Sequence, residues 1–297
     1  MLRALRASDQ LKGIACILVS GAIFAFTDAI AKLLTGEYPP GQILFFRSVF
    51  VFLSIGVMTW AKGGMREIKV VSWRLQLLRG LIVALTSFIF IVALKHVPLA
   101  DMTALMFLSP LVLTAMAPYF LGEYVGWRRW TAIAIGFCGT LFIIRPSGDV
   151  PLWPLLLAAS ITVLIAFRDI ITRKLSQTDT ANGMMICSTA VVTLIGACAL
   201  PFGWVTPDWQ GLALFALAGG LQGVAQYFLV YAFIYGEAVV VTPFRYFLLI
   251  WATLYGYLLF GTVPSLQTLF GASIVVGSGL YIFFREVRHK RRPPKPA

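Results

Sequence analysis

The sequence predicts an all-α integral membrane protein of ten transmembrane helices, arranged as two inverted five-helix repeats around a central cavity. Composition is the first reason: 59% of the 297 residues are hydrophobic and only 12% charged, with a mean hydropathy of +0.87. That is more apolar surface than one soluble core of this length can bury. Hydrophobic runs of spanning length recur along the whole chain, separated by short breaks. Finally, one stretch occurs twice: Ala25 to Leu34 (AFTDAIAKLL) matches Ala166 to Leu175 (AFRDIITRKL) at an offset of 141, each with an aspartate inside an apolar run.

A hydrocarbon core of about 30 Å needs about 20 apolar residues per helix. Such segments fall near 12–34, 41–61, 74–95, 99–121 and 128–145, then near 152–174, 182–202, 210–235, 238–260 and 265–284. The breaks are rich in turn formers, among them Tyr38-Pro39-Pro40-Gly41, Lys62-Gly63-Gly64, His96-Val97-Pro98, Pro146-Ser147-Gly148, Pro207-Asp208 and Val263-Pro264. The first run has the basic start of a signal peptide, and Ala29-Ile30-Ala31 mimics a cleavage site. It is too long for one and contains Asp28, so it reads as a retained first span.

The net charge of +12 does not imply nucleic acid, because the basic residues lie in short gaps between apolar runs and in the tail. If the N-terminus is inside, 18 of the 24 Lys and Arg fall on the cytoplasmic side and three on the other, which places both termini in the cytoplasm of a cell with this plasma (inner) membrane. Seven tryptophans (60, 73, 127, 130, 153, 204, 209) sit at helix ends as an interfacial belt, and Trp251 lies near mid-membrane. The four cysteines have no metal or redox spacing and read as small core residues.

The repeat extends beyond the matched stretch. At an offset of 139, Gly80 falls on Gly219, Phe88 on Tyr227, Ala93 on Ala232, Gly122 on Gly261 and Leu141 on Leu280. Five spans per unit is an odd number, so the second copy is inverted, the arrangement of carriers that open a midplane site alternately to each side. The expected units are 1–147 and 148–285, followed by a basic cytoplasmic tail, 286–297.

FTDAIAKLL followed by YPPGQILFFRS, SPLVLTAMAPYFLGE closing the fourth span, and FGTVPSLQTLFGASIVVGSGLYI near the end resemble the drug/metabolite transporter superfamily, EamA type. The resemblance covers nearly the whole chain and includes similarity to aromatic amino acid exporters. It implies export or exchange of small metabolites through a cavity lined by helices 1, 3, 4, 6, 8 and 9. The acid that often ends both repeats is present as Glu123 but replaced by Thr262 in the second copy.

Candidate site residues follow from cost. Asp28 needs a partner or a polar cavity. Arg47 lies at a similar depth across the first hairpin, and Lys32 follows Asp28 by four residues, so a structural ion pair competes with a substrate amine or a proton site. Asp28 recurs as Asp169 while the position of Arg47, at an offset of 140, holds Cys187, which favours the cavity role. Asp169 has Arg168 and Arg173 as neighbours. Phe88 and Tyr227 are candidate cavity walls, with ordinary packing as the alternative. Gln222 and Gln226 offer hydrogen bonds to a substrate or between helices. Arg245 would hold a substrate carboxylate, pair with Asp169 or snorkel, with Tyr246 beside it and Trp251 further along. Pro110 and Pro243 predict kinks.

No catalytic motif or nucleophile set occurs and the only histidines are His96 and His289, so no enzyme and no cofactor are expected. Internal pseudosymmetry argues against a channel built on subunit symmetry. The reading is thus a broad-specificity secondary transporter exporting amino acids, including aromatic ones, with S-adenosylmethionine or a nucleoside derivative as the alternative cargo. Its partners are the substrate and the lipid bilayer, with proton coupling an option and a monomer or weak dimer as the assembly. Cysteines placed in 35–40 or 146–150 should be labelled from outside the cell and those in 62–72 or 176–181 from inside. Reversed labelling at any of the four contradicts this topology.

Overall fold

A computed structural model describes residues 2–62, 64, 68–122, 125–144, 152–236 and 238–290. Glu123, the unit boundary at 147/148 and the tail from 291 lie outside the described residues. The described residues form helices joined by short turns and loops, with no strand among them. The helices are α1 (Leu2–Leu34), α2 (Pro40–Lys62), α3 (Trp73–Leu94), α4 (Leu99–Met106), α5 (Ser109–Leu121) and α6 (Trp127–Ile144). They continue as α7 (Leu152–Leu175), α8 (Ala181–Ala199), α9 (Trp209–Tyr235), α10 (Ala238–Val241), α11 (Leu248–Phe260) and α12 (Leu266–Lys290). Helices α4 and α5 form the fourth span, and α10, a 3-10 turn over Thr242–Phe247 and α11 form the ninth. Nine spans among the described residues are long and apolar enough to cross a membrane. The remaining span, the fifth in chain order, is α6, whose first turn carries Arg128 and Arg129, which lowers its hydropathy.

The packing has the two-fold relation expected of inverted repeats. Helix α1 packs on α9 and, equivalently, α7 on α3; α2 also meets α9 as α8 meets α3; α1 touches α11 as α7 touches α5; α2–α8, α6–α12 and α4–α11 pair across the axis. Single residues repeat the relation. A Cβ on Gly219 would lie 2.5 Å from Phe50 Cβ, and one on Gly80 would lie 2.8 Å from Val191 Cβ. Gly80 and Gly219 are the 139-offset pair, while Phe50 and Val191 are related by 141, which moves the counterpart of Arg47 from Cys187 to Ser188, still not a base. These glycines therefore let α9 and α3 approach α2 and α8, the small-residue packing that membranes favour. Gly122 and Gly261 likewise end α5 and α11 with φ of 66° and 65°, a left-handed conformation in which a side chain is strained.

Both kinks are present. The fourth span breaks at Phe107–Leu108 and restarts with Pro110 second in α5; the ninth passes through the 3-10 turn, with Pro243 second. The tryptophans at helix ends are exposed, as an interfacial belt requires. One expectation is corrected for two residues: Cys138 and Cys198 are exposed on α6 and α8, on surfaces facing lipid, while Cys16 and Cys187 are partly buried.

Each face carries a polar staple between loops of opposite halves. On the face away from the termini, Gln42 Nε2 donates to Val205 O (2.6 Å), Val205 N donates to Gln42 Oε1 (3.0 Å), and Tyr38 OH donates to Asp208 Oδ1 (3.1 Å). On the terminal face, Asp179 accepts from Gln76 Nε2 (2.7 Å), Thr178 Oγ1 (2.7 Å) and the Val71 N–H (3.2 Å). Burial pushes the Asp179 carboxyl up, but hydrogen bonds from Gln76, Thr178 and the Val71 and Ser72 amides outweigh it and hold the group below the usual carboxylate range. A depressed folded value stabilises above the unfolded pKa of about 3.9, and that stability is lost as pH falls through the folded value. Asp179→Asn should therefore lower the unfolding temperature in detergent at pH 7, with the difference shrinking toward pH 3. A gap that is constant with pH would contradict this account.

Candidate functional site

In the first half, Asp28 of α1 is neutralised by Arg47 of α2, whose Nη2 lies 3.0 Å from Asp28 Oδ1. The same guanidinium donates through Nε to Gln222 Oε1 of α9 at 2.5 Å, so one network joins both repeats. This is the structural ion pair that hairpin depth offered as the alternative to the favoured cavity role of Asp28. The Lys32 alternative is not adopted: Lys32 Nζ donates to Leu94 O (2.9 Å) and Val97 O (2.5 Å) and sits 5.6 Å from the Phe260 ring centroid. At the end of α1 this ammonium reaches the free carbonyls that close α3, a better acceptor set than a carboxylate already bound.

In the second half, Arg168 Nε and Nη2 donate to Asp169 Oδ1 at 2.9 and 2.7 Å, with both side chains about one-third exposed. Sequence reasoning missed Arg79, which it placed with the basic residues of the terminal face. It is partly buried in α3, donating through Nε to Thr172 Oγ1 (2.8 Å) and through Nη1 to Met184 O (2.9 Å) and Ser188 Oγ. Its position immediately before the repeat glycine Gly80 was the available signal. The acid thus does not recur without bases; they come from α7 and α3 where the first half uses α2. Arg79 and Arg245 both feel the charges of Arg168 and Asp169. Of the three guanidinium groups only Arg168 contacts the carboxylate; Arg79 and Arg245 act on it through space.

The two broken spans meet in an aromatic pair. Phe107 and Tyr246, themselves related by the 139 offset, make a T-shaped contact at 5.0 Å. Nearby in the ninth span Trp251 stacks on Tyr255 (24° between planes), which in turn lies 5.4 Å from Phe26 of α1. Trp251 Nε1 is buried with no hydrogen-bond partner among the described residues. Gln226 and Tyr227 line a separate pocket with Ile55, Thr59, Asn182 and Met185, between α2, α8 and α9. Tyr227 OH donates to Tyr231 OH at 2.9 Å. Phe88 is set apart from all of these: it is 38% exposed on the flank of Leu77, Leu81 and Leu85, which are 44%, 44% and 50% exposed. A stripe so apolar and open faces lipid, so the repeat match with Tyr227 does not give Phe88 the same surroundings. Among the described residues no cluster of His, Cys, Asp and Glu could hold a metal.

Broken spans meeting on a pseudo-two-fold axis, with charged side chains held inside the bundle, are the inverted-repeat architecture of membrane transporters. The chain belongs to the EamA-like transporter family, whose model matches residues 11–145. It is 31% identical over 294 residues to a riboflavin transporter of Rhizobium johnstonii, covering 98% of this chain and 97% of that one. An S-adenosylmethionine uptake transporter of Rickettsia conorii is 27% identical (95% and 96% covered), and a pseudopaline exporter of Pseudomonas aeruginosa 28% identical (90% and 95%). A solved crystal structure superposes with a TM-score of 0.65 over 96% of this chain and 99% of that one, at 18% identity, a likeness of fold.

Because Arg47 is 11% and Asp28 25% exposed, Asp28→Asn should leave a poorly hydrated guanidinium. The cost is about 2 kcal/mol, reduced from the 3–5 of a fully buried pair by the partial exposure. The double variant Asp28→Asn with Arg47→Gln should recover most of that loss in thermal unfolding. Wild-type stability of the single variant would contradict a structural pairing.

Proposed function

We propose that the protein carries a small, flat heteroaromatic metabolite of the flavin class across the inner membrane by alternating access, with both termini in the cytoplasm. In this reading units 1–147 and 148–285 rock against each other about the Phe107–Tyr246 axis, and 286–297 is a basic cytoplasmic tail. The observation that carries the proposal is the conjunction of aromatic faces (Phe107, Tyr246, Trp251, Tyr255, Phe26) with the guanidinium excess of Arg79, Arg168 and Arg245 over Asp169. Stacking suits a flat ring. Excess positive charge disfavours a sulfonium cation such as S-adenosylmethionine and tolerates a neutral ring rich in acceptor atoms. The riboflavin transporter that matches nearly end to end supports the same cargo.

The expected amino-acid cargo remains a second reading, favoured by Arg245 beside Tyr246, a carboxylate clamp next to an aromatic wall. Gln222 serves the Arg47 network in both readings, and Gln226 with Tyr227 belongs to a side pocket on the transport path. The assembly in this reading is a monomer or weak dimer, and proton coupling would appear as flux driven by a pH gradient. Uptake of labelled riboflavin, S-adenosylmethionine and phenylalanine into proteoliposomes separates the cargoes. Saturable riboflavin uptake, uninhibited by S-adenosylmethionine, is expected. Saturable uptake of S-adenosylmethionine with no riboflavin flux would overturn the proposal, and phenylalanine flux alone would install the second reading.

A further inference from the structure

Arg245, in the broken ninth span, differs from the three interior guanidinium groups already described in having no hydrogen-bond acceptor among the described residues. Arg47 is held by Asp28 and Gln222, Arg79 by Thr172, Met184 and Ser188, and Arg168 by Asp169. Arg245 makes no hydrogen bond and no ion pair among the described residues, and it interacts only through space with Asp169, Arg168 and Tyr246. The nearest carboxylate is already engaged, since Arg168 occupies Asp169 Oδ1 through two nitrogens. Yet Arg245 is more than a third exposed although it sits within the ninth span, in the 3-10 turn where that span breaks. An arginine at that depth stays charged and carries five N–H donors in a planar fork. Keeping such a fork unpaired inside a membrane protein is costly unless a water-filled path or a ligand satisfies it.

Its place fixes what that ligand presents. Tyr246, the next residue, contributes one of the two rings on the pseudo-two-fold axis. The side chains of Arg245 and Tyr246 are close enough to interact through space, so a flat molecule held at that ring pair would lie in the neighbourhood of the fork. Two parallel N–H groups match two adjacent acceptors, the way arginine reads the O6/N7 edge of guanine. We propose that Arg245 is a specificity-determining residue that donates both hydrogen bonds to an acceptor-pair edge of the carried ring. In a flavin the candidate edges are N1 with the C2 carbonyl and the C4 carbonyl with N5. This rests on the flavin-class reading of the cargo and adds to it the group that reads the ring. The surrounding excess of guanidinium charge strengthens the choice, because it favours an uncharged or anionic edge over a protonated one.

The test uses the wild-type protein first. Inhibition of labelled riboflavin uptake into proteoliposomes is measured with riboflavin, 1-deazariboflavin and 5-deazariboflavin, each deaza compound lacking one acceptor of one pair. One of the two should compete about tenfold less well than riboflavin, the effect of about 1.4 kcal/mol from one lost bond of a charged pair. In Arg245→Lys, which keeps the charge and loses the fork, KM for riboflavin should rise about tenfold with the maximal rate little changed, and the two analogues should converge with riboflavin. Equal competition by both analogues on the wild-type protein, or undiminished discrimination in Arg245→Lys, overturns the proposal. The analogue comparison needs no substitution, so a misfolded variant cannot obscure the result. Absence of riboflavin uptake by the wild-type protein would instead mark failure of the cargo reading, before any analogue is compared.

Discussion

A carboxylate carried into the bilayer by a helix has to be neutralised where it stands, and the contact of Arg47 with Asp28 at 3.0 Å meets that demand. Much of the bundle follows from it. The pair needs α1 and α2 to be an antiparallel hairpin with both side chains at one depth. Because Arg47 also donates to Gln222, the hairpin of the first repeat is tied to α9 of the second. That close approach is possible only because Gly219 presents no side chain where α9 crosses the Arg47 backbone. Charge, hydrogen bonding and small-residue packing thus support one crossing rather than three separate features.

The second half solves the same problem with different residues. Asp169 occupies the position of Asp28, but its counter-charges are Arg168 on its own helix and Arg79 and Arg245 through space. The fold is therefore close to two-fold symmetric while the electrostatics are not. The first half balances Asp28 with one guanidinium; the second sets Asp169 against Arg168 in contact and Arg79 and Arg245 through space, with Arg245 next to the ring of Tyr246 where the ninth span breaks. An alternating-access carrier needs the architecture to be nearly interchangeable between its two faces, but nothing requires its binding surface to be so. The polar staples of Gln42 with Val205 and of Asp179 with Gln76 tie the two halves together at opposite faces.

The architecture was legible in the sequence because it rests on period and composition. Span lengths, the inversion and the glycine register of Gly80 with Gly219 come from patterns that lipid imposes along the whole chain. Hairpin depth also brought Arg47 forward as one candidate partner of Asp28, beside a cavity role that the repeat pattern favoured. Side-chain direction was not legible. Phe88 and Tyr227 match in the repeat, yet one lies on a lipid-facing flank and the other beside a pocket, because the faces of α3 and α9 are covered by different neighbours. Lys32 and Asp28 have favourable spacing, but the helix-end carbonyls of α3, distant in sequence, compete for the ammonium. Arg79 was hidden for a related reason: its position near a helix end reads as interfacial, and only the approach of α7 and α8 makes it part of the interior.

All of this presumes that the two repeats exchange roles with the substrate site between them, so that cargo on one side speeds the return of the empty site from the other. Trans-stimulation tests that most directly. Proteoliposomes preloaded with unlabelled cargo should take up labelled cargo several-fold faster than empty ones, and the rate should saturate with external concentration. Uptake that rises linearly with concentration and is indifferent to preloading would contradict a carrier and point to an open pore.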